Sequence, residues 1–139
     1  MATIASSLRP AVAQRAGHCC EYCQSQELIT GGPFHVDHIV PITQGGATTL
    51  DNLAYACARC NLCKGQRTRQ RDPVSGRMTQ LFNPRMQAWS RHFLWSADGT
   101  RVIGRTRTGR ATVLLLRMNQ PMIVQSRSIW VQCDLHPPG

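Results

Sequence analysis

The chain has few acidic residues, a single lysine and no long hydrophobic run. A transmembrane helix needs an apolar stretch of about 18 residues or more, and the sequence contains none. The N-terminus lacks a basic start followed by an apolar core, so no signal peptide is expected. A cytoplasmic location is therefore the simplest prediction. Internal repeats and low-complexity tracts are also missing.

The scarce acidic residues leave the second part of the chain strongly basic. Residues 60–139 hold 13 of the 16 Lys and Arg residues but only three of the seven acids. Twelve of these 13 residues are arginine, whose forked guanidinium group suits contacts with phosphate. A surface of this charge favours a polyanion, most simply nucleic acid.

The cysteines are arranged for metal binding and not for a disulfide framework. Seven is an odd number, and thiols of a cytoplasmic protein are metal ligands or free groups more often than disulfides. Cys20 and Cys23 form one CxxC pair, and Cys57 and Cys60 form a second. Two such pairs can supply a tetrahedral four-thiolate zinc site, and zinc binding then stabilises a small fold.

Two alternatives to this ligand set remain at the level of sequence. Cys63 follows Cys60 at the same spacing, so a Cys60/Cys63 pair is compatible with spacing alone. A redox-active CxxC motif is the other alternative. We interpret Cys19 and Cys63 as non-ligands.

Turn residues and apolar patterns predict an α+β fold. Residues 1–8 are predicted to be a disordered tail. The rest of the first half is predicted to consist of a helix over 9–16, a loop over 24–33, a strand over 34–40, a connecting loop over 42–51, a strand over 53–56 and a helix over 58–67.

The second half is predicted to be a basic α/β extension of short elements. A turn over 72–76 precedes a strand over 78–82, and Asp98-Gly99 predicts a hairpin over 93–103. Thr108 is predicted to cap a helix to Met118. Pro121 opens the last helix. The apolar residues expected to face inward on these two helices are Val113, Leu115, Leu116, Ile123, Ile129 and Trp130.

The segment between the CxxC pairs contains the residue types that phosphodiester hydrolysis requires. A water molecule must lose a proton, which a neutral imidazole accepts near pH 7. The charged transition state and the leaving oxygen need a cation such as Mg²⁺, which is held by hard oxygen ligands. His38 is therefore a candidate base and Asp37 a candidate metal ligand. Asn61, directly after Cys60, is a candidate third group.

These motifs together closely resemble the HNH endonucleases. The resemblance covers residues 9–67 and consists of CxxC at 20–23, Asp37-His38-Ile39-Val40-Pro41, Gly45-Gly46, Asp51-Asn52-Leu53 and Cys57-x-x-Cys60-Asn61-x-x-Lys64-Gly65. It implies a ββα-metal core (the HNH or His-Me finger) held by a structural four-cysteine zinc site.

The resemblance also implies roles for individual residues. His38 is expected to activate water, and Asp37 and Asn61 are expected to bind a catalytic Mg²⁺ or Mn²⁺ ion. Asn52 is expected to brace the loop between the strands and thereby orient His38. The third motif position is Asn61 rather than histidine, a variant that is common in the family, need not abolish activity and can shift the metal preference.

The predicted function is DNA cleavage by a core at 9–67 with a basic extension at 68–139 packed on it. Single-stranded and branched DNA are among the candidate substrates. Cutting both strands needs two active sites or two successive nicks. A homodimer or larger complex would supply two active sites. The alternative is a non-catalytic zinc-dependent nucleic-acid-binding module. The residues expected to contact DNA are Lys64, Arg67, Arg69, Arg71, Arg85, Arg91, Arg105, Arg107 and Arg110.

Overall fold

The computed structural model describes residues 7–139. Most of the predicted tail, residues 1–6, lies outside the described residues, but Leu8 already belongs to the first helix. The described residues form two units. The first unit comprises residues 7–68 and 83–86, and the second comprises residues 69–82 and 87–139. The extension expected over 68–139 is therefore interrupted by four residues that belong to the first unit. No helix of the described residues could span a membrane.

The first unit contains the predicted strand, loop, strand and helix. Its elements are α1 (Leu8–Arg15), α2 (Glu27–Thr30), β1 (His35–His38), β2 (Leu53–Ala56) and α3 (Ala58–Lys64). The strands pair antiparallel with Asp37 opposite Ala54, and every residue of β2 is buried. The connecting loop contains two 3₁₀ turns, Ile42–Gln44 and Leu50–Asn52.

The short helix α2 corrects the prediction of a loop over 24–33. Glu27 begins this helix, and its carboxylate accepts hydrogen bonds from the Phe34 amide at 2.7 Å and the Tyr55 hydroxyl at 2.6 Å. Burial and this carboxylate raise the pKa of Tyr55 to about 12. Both partners lie outside α2, so a local turn-residue pattern does not reveal why the helix forms there.

The second unit consists of two short hairpins and three helices. Its elements are β3 (Arg69–Arg71), β4 (Met78–Gln80), α4 (Trp89–His92), β5 (Phe93–Trp95), β6 (Val102–Gly104), α5 (Arg107–Leu115) and α6 (Pro121–Gln132). β3 pairs with β4 and β5 with β6, both antiparallel, and α5 contacts both hairpins. Phe82 and Phe93 pack edge to face in the core with centroids 5.2 Å apart.

Two helix predictions in this unit were wrong in detail. Thr106, not Thr108, caps α5, because its hydroxyl accepts the Gly109 amide at 3.0 Å. Ile129 on α6 is 61% exposed, whereas Arg127 is fully buried. The Arg127 guanidinium donates to the Thr100 carbonyl at 2.9 Å and lies over the Trp95 ring, so tertiary partners reverse the order expected from hydrophobicity.

A buried ion pair links the first hairpin of this unit to α5. Asp72 has no exposed surface, and Arg110 donates to both of its carboxylate oxygens at 2.9 Å. The amides of Val74 and Ser75 donate to the same oxygens. The Arg110 guanidinium holds the pKa of Asp72 well below its usual range. Arg110 was predicted to contact DNA; its guanidinium is engaged by Asp72 and its side chain is 29% exposed, and a DNA contact there stays a prediction.

Replacing Asp72 by asparagine is expected to lower the melting temperature of the second unit at pH 7. A carboxyl group whose pKa is depressed by folding stabilises the fold above its unfolded pKa of about 4, and the stabilisation is lost as the pH falls below that value. The difference between parent and variant should therefore shrink on acidification. All three tryptophans lie in the second unit, so tryptophan fluorescence reports its unfolding. Equal melting temperatures at pH 7 would contradict this, and Asp134→Asn is the exposed control.

Candidate active site and metal centre

The four cysteines of the two CxxC pairs meet in one buried cluster. Their sulfur atoms all lie within 4.8 Å of one another, and Cys23 Sγ is 3.7 Å from Cys57 Sγ. Four thiolates at about 2.3 Å from a tetrahedral zinc ion are about 3.8 Å apart, so the geometry fits zinc. The first unit therefore contains a structural metal site of the zinc type, as the spacing predicted.

Local hydrogen bonds build this cluster from each CxxC turn. The Cys23 amide donates to Cys20 Sγ and the Cys60 amide to Cys57 Sγ, both at 3.4 Å. Cys57 is also the N-cap of α3. The Arg59 guanidinium lies 3.7 Å from Cys60 Sγ, and its charge offsets that of the thiolates. Cys63 is not part of the cluster.

Asp37 is the buried acid of the predicted active site. It lies on β1 at 6% exposure and accepts a hydrogen bond from the Tyr22 hydroxyl at 2.8 Å. Lys64 Nζ is 3.1 Å from the same carboxylate. Burial raises the pKa of Asp37, while the Lys64 ammonium and the Tyr22 hydroxyl act in the opposite direction. Burial also raises the pKa of Tyr22, and the Asp37 charge adds to that shift.

Lys64 was predicted from the sequence to contact DNA phosphate, but its side chain does not occupy a position from which it could do so. Its side chain is 1% exposed and lies inside the first unit. Besides pairing with Asp37, Nζ donates to the carbonyl oxygens of His38 and Ile39, both at 3.1 Å. Lys64 thus connects α3 to the end of β1 and satisfies a buried ammonium group with three acceptors.

His38 follows Asp37 on β1 and is partly exposed. Its Nε2 atom lies 2.9 Å from the hydroxyl oxygen of Thr48. When Thr48 accepts this hydrogen bond, the imidazole proton is on Nε2 and the lone pair is on Nδ1. Thr48 therefore orients the ring and can select the tautomer that a base requires.

The three residues predicted for the catalytic centre line one cavity of about 230 Å³. Asp37 and His38 line it from β1, and Asn61 lines it from α3. The other lining residues are Val36, Pro41, Ile42, Thr43, Gly65 and Gln66. The carboxylate and the amide offer the hard oxygen atoms that Mg²⁺ and Mn²⁺ prefer, so this donor set fits a divalent cation.

Asn52 holds both ends of the loop that follows β1. Its side-chain oxygen accepts the Val40 amide at 3.0 Å. Its side-chain nitrogen donates to the carbonyl oxygens of Val40 and Ala47 at 3.0 and 2.9 Å. These are the contacts that a loop brace requires, and Ala47 adjoins Thr48, the partner of His38.

Gly46 allows the loop to approach β1 this closely. A Cβ atom at Gly46 would lie 1.7 Å from the Val40 carbonyl oxygen and 2.9 Å from the Asn52 side-chain nitrogen. Gly45, its neighbour, has a left-handed backbone but open space around its Cα.

Gly46→Ala is expected to displace the loop and lower stability by roughly 2–4 kcal/mol, because two or three hydrogen bonds are lost. Gly45→Ala, the control, should cost about 1–2 kcal/mol from backbone strain alone. Urea unfolding gives both values. A smaller loss for Gly46→Ala than for Gly45→Ala would contradict the packing described for this loop.

The remaining predicted DNA contacts divide by exposure. Arg85 is 14% exposed, forms an ion pair with Glu21 and donates to the Leu53 carbonyl at 3.0 Å, so its guanidinium stabilises the first unit from within. The residues whose exposure leaves them available are Arg67, Arg69, Arg71, Arg91, Arg105 and Arg107.

The sequence analysis missed two residues that shape the site, Tyr22 and Thr48, and gave Lys64 a different role from the one it has in the structure. Tyr22 lies inside a CxxC turn, where an aromatic residue could have been noticed as a core candidate. Thr48 stands among several similar polar residues of the loop and gives no distinct signal.

Comparison with known proteins agrees with this geometry. Residues 20–67 match the family model described as HNH endonuclease. Comparison with curated proteins and with solved structures yields no match. The matched segment includes both CxxC pairs, both strands of the first unit, α3 and the three cavity residues. Over residues 20–67 the chain is therefore similar to the HNH endonucleases, and this segment has a mixed α/β fold with a four-cysteine metal site.

Proposed function

We propose that this protein is a metal-dependent endonuclease that nicks or cuts DNA by hydrolysing its phosphodiester bonds. The observation that carries the proposal is the shared cavity of Asp37, His38 and Asn61 in an HNH domain. A base and two oxygen ligands face one space there, and the cavity is open to a substrate.

His38 is the general base in this mechanism. Its ring is oriented by Thr48 through Nε2, so Nδ1 can accept a proton from the attacking water. Asn52 acts indirectly, because it braces the loop that carries Thr48. The expected contribution of a positioned base is about 10²–10⁴-fold in rate.

Asp37 and Asn61 are the residues that would hold a single divalent ion. Mg²⁺ or Mn²⁺, when bound, supplies positive charge for the transition-state phosphate and for the leaving oxygen. Tyr22 and Lys64 fix the Asp37 carboxylate from the protein side. The zinc-type site takes no part in the chemistry and serves to hold β2 and α3 in place.

One observation favours the alternative of a non-catalytic nucleic-acid-binding module. The Asp37 carboxylate is already paired with the buried ammonium of Lys64, which competes electrostatically with a metal ion. The alternative predicts salt-sensitive DNA binding without cleavage in any metal.

Cleavage of supercoiled plasmid and of single-stranded DNA in Mg²⁺, Mn²⁺ or EDTA tests the proposal. Nicked or linear product is expected with at least one of the metals, and EDTA should prevent it. Product that is nicked first and linear later indicates successive nicks. DNA that is bound but stays intact in both metals would refute the endonuclease and support the binding module.

A further inference from the structure

The β3–β4 hairpin, which we call the ribbon (residues 69–80), has one packed face and one free face. Gln70 and Thr79 are half-buried, and the Thr79 hydroxyl lies 3.3 Å from that of Thr108 in the first turn of α5. Both strands contact α5 on this side. The ribbon is thereby fixed on the second unit, and its opposite face is exposed.

The exposed face carries positive charge and side chains that can read bases. Arg69 lies opposite Gln80 and Arg71 lies opposite Met78 in the strand register, and all four are exposed. Arg71 donates to the Gly76 carbonyl at 2.5 Å, within the same hairpin. Arg77 adds a further exposed cation in the turn.

The ribbon presents no exposed acid that would neutralise these cations. Its only carboxylate is Asp72, which is buried and engaged by Arg110 from α5. The ion pair therefore turns the one negative group inward and leaves a uniformly positive outer face.

We infer that the outer face of the ribbon binds the major groove of duplex DNA, with Arg69 and Arg71 as its principal contacts. The inference rests on the proposed function and specifies its substrate as a double helix. The B-DNA major groove is about 12 Å wide and admits a two-stranded β-ribbon, and arginine and glutamine are residues that pair with guanine and adenine edges there. Residues two apart on a strand are separated by about 6.8 Å, which equals two base-pair steps.

The same geometry disfavours other nucleic acids. The major groove of duplex RNA is deep and narrow and does not admit a ribbon. Single strands are bound through aromatic side chains that stack on bases, and the outer face of the ribbon has none. A competing explanation is that the arginines only keep an exposed edge from pairing with other chains, in which case DNA binding would not depend on them.

The test compares two double variants of the full chain in a His38→Ala background, which removes cleavage from the measurement. R69Q/R71Q removes the two strand arginines of the ribbon, and R101Q/R117Q removes two other exposed arginines of the second unit. Fluorescence anisotropy measures binding to a DNA duplex of about two helical turns, to an RNA duplex of the same sequence and to the single strand. Tryptophan-fluorescence melting verifies that the second unit of each variant is folded.

For the DNA duplex, R69Q/R71Q should weaken binding at least about tenfold and should lower the slope of log affinity against log salt by about two. R101Q/R117Q should weaken binding less than about threefold, because its charges lie outside the ribbon. The RNA duplex and the single strand should bind more weakly than the DNA duplex and respond little to R69Q/R71Q.

Parent-like duplex binding by R69Q/R71Q would overturn the inference. It would also be overturned if both double variants lost the same affinity for the DNA duplex, or if R69Q/R71Q lost as much affinity for the single strand as for the duplex. A parent protein that does not bind the DNA duplex would overturn it as well. Cleavage by the parent protein is scored separately. If the parent cuts no DNA but duplex binding depends on Arg69 and Arg71, the proposed function fails and the ribbon inference stands. If the parent cuts and R69Q/R71Q binds normally, the reverse holds.

Discussion

DNA cleavage by His38→Ala is expected to be slower than that of the parent by about 10²–10⁴-fold, while DNA binding and folding are retained. The imidazole is the proton acceptor in the proposed mechanism, and alanine has no group that replaces it. The side chain is partly exposed and forms a hydrogen bond with the Thr48 hydroxyl at the surface of the loop. Removing it therefore costs the fold little. Initial rates of plasmid nicking at saturating metal measure the effect.

His35→Ala is the matched control for this prediction. His35 lies two residues earlier on the same strand and is exposed. Its replacement removes the same type of side chain from β1, but His35 does not line the cavity. Because no proton transfer is lost, cleavage should stay within about threefold of the parental rate. Cleavage by His38→Ala at the parental rate would exclude His38 as the base.

Cys57→Ser is expected to abolish zinc binding and unfold the first unit. Cys57 supplies one of the four clustered sulfur atoms and also caps α3. Binding of structural zinc is worth about 10–16 kcal/mol in small zinc domains, which is as large as the whole stability of a typical domain at about 5–15 kcal/mol. The parent should contain one zinc ion per chain by metal analysis, and the variant should show amide exchange without protection across 7–68.

Two further cysteine variants make this prediction specific. Cys63→Ser tests the alternative Cys60/Cys63 pair, and Cys133→Ser removes an exposed thiol outside the cluster. Both should keep their zinc and the exchange protection of the parent. Zinc lost in Cys63→Ser but retained in Cys57→Ser would show that the metal uses a different ligand set.

The first unit was predictable because its signals are local and mutually consistent. The CxxC spacing brings two thiolates to one ion within each turn, and the strand between Phe34 and Val40 is marked by apolar residues and a following proline. The predicted order of strand, loop, strand and helix agrees with β1, β2 and α3. Two details were wrong there. Helix α2 was predicted as a loop, because the partners of Glu27 are distant in sequence, and α3 ends at Lys64, about one turn before the predicted end at residue 67.

The second unit was predicted less well because its core includes polar groups with distant partners. Arg127 is buried on α6 while Ile129 is exposed, and no local pattern indicates this reversal. Thr106, not Thr108, caps α5, and the Thr108 hydroxyl instead lies 3.3 Å from that of Thr79 on the first hairpin.

The sequence by itself determined the metal-ligand spacing, the order of the core elements and three residues that line the candidate active site, Asp37, His38 and Asn61, since these depend on chain distance and residue type. Only the tertiary structure decided what the basic residues do. Lys64, Arg85 and Arg110 pair with acids that lie 27, 64 and 38 positions away, and they stabilise the two units from inside. Arg69 and Arg71 are exposed, and the only acid of their hairpin, Asp72, is buried and paired with Arg110. The sequence shows a positive charge at each of these positions. Whether that charge is buried against an acid or exposed depends on tertiary contacts, which form only when the chain folds.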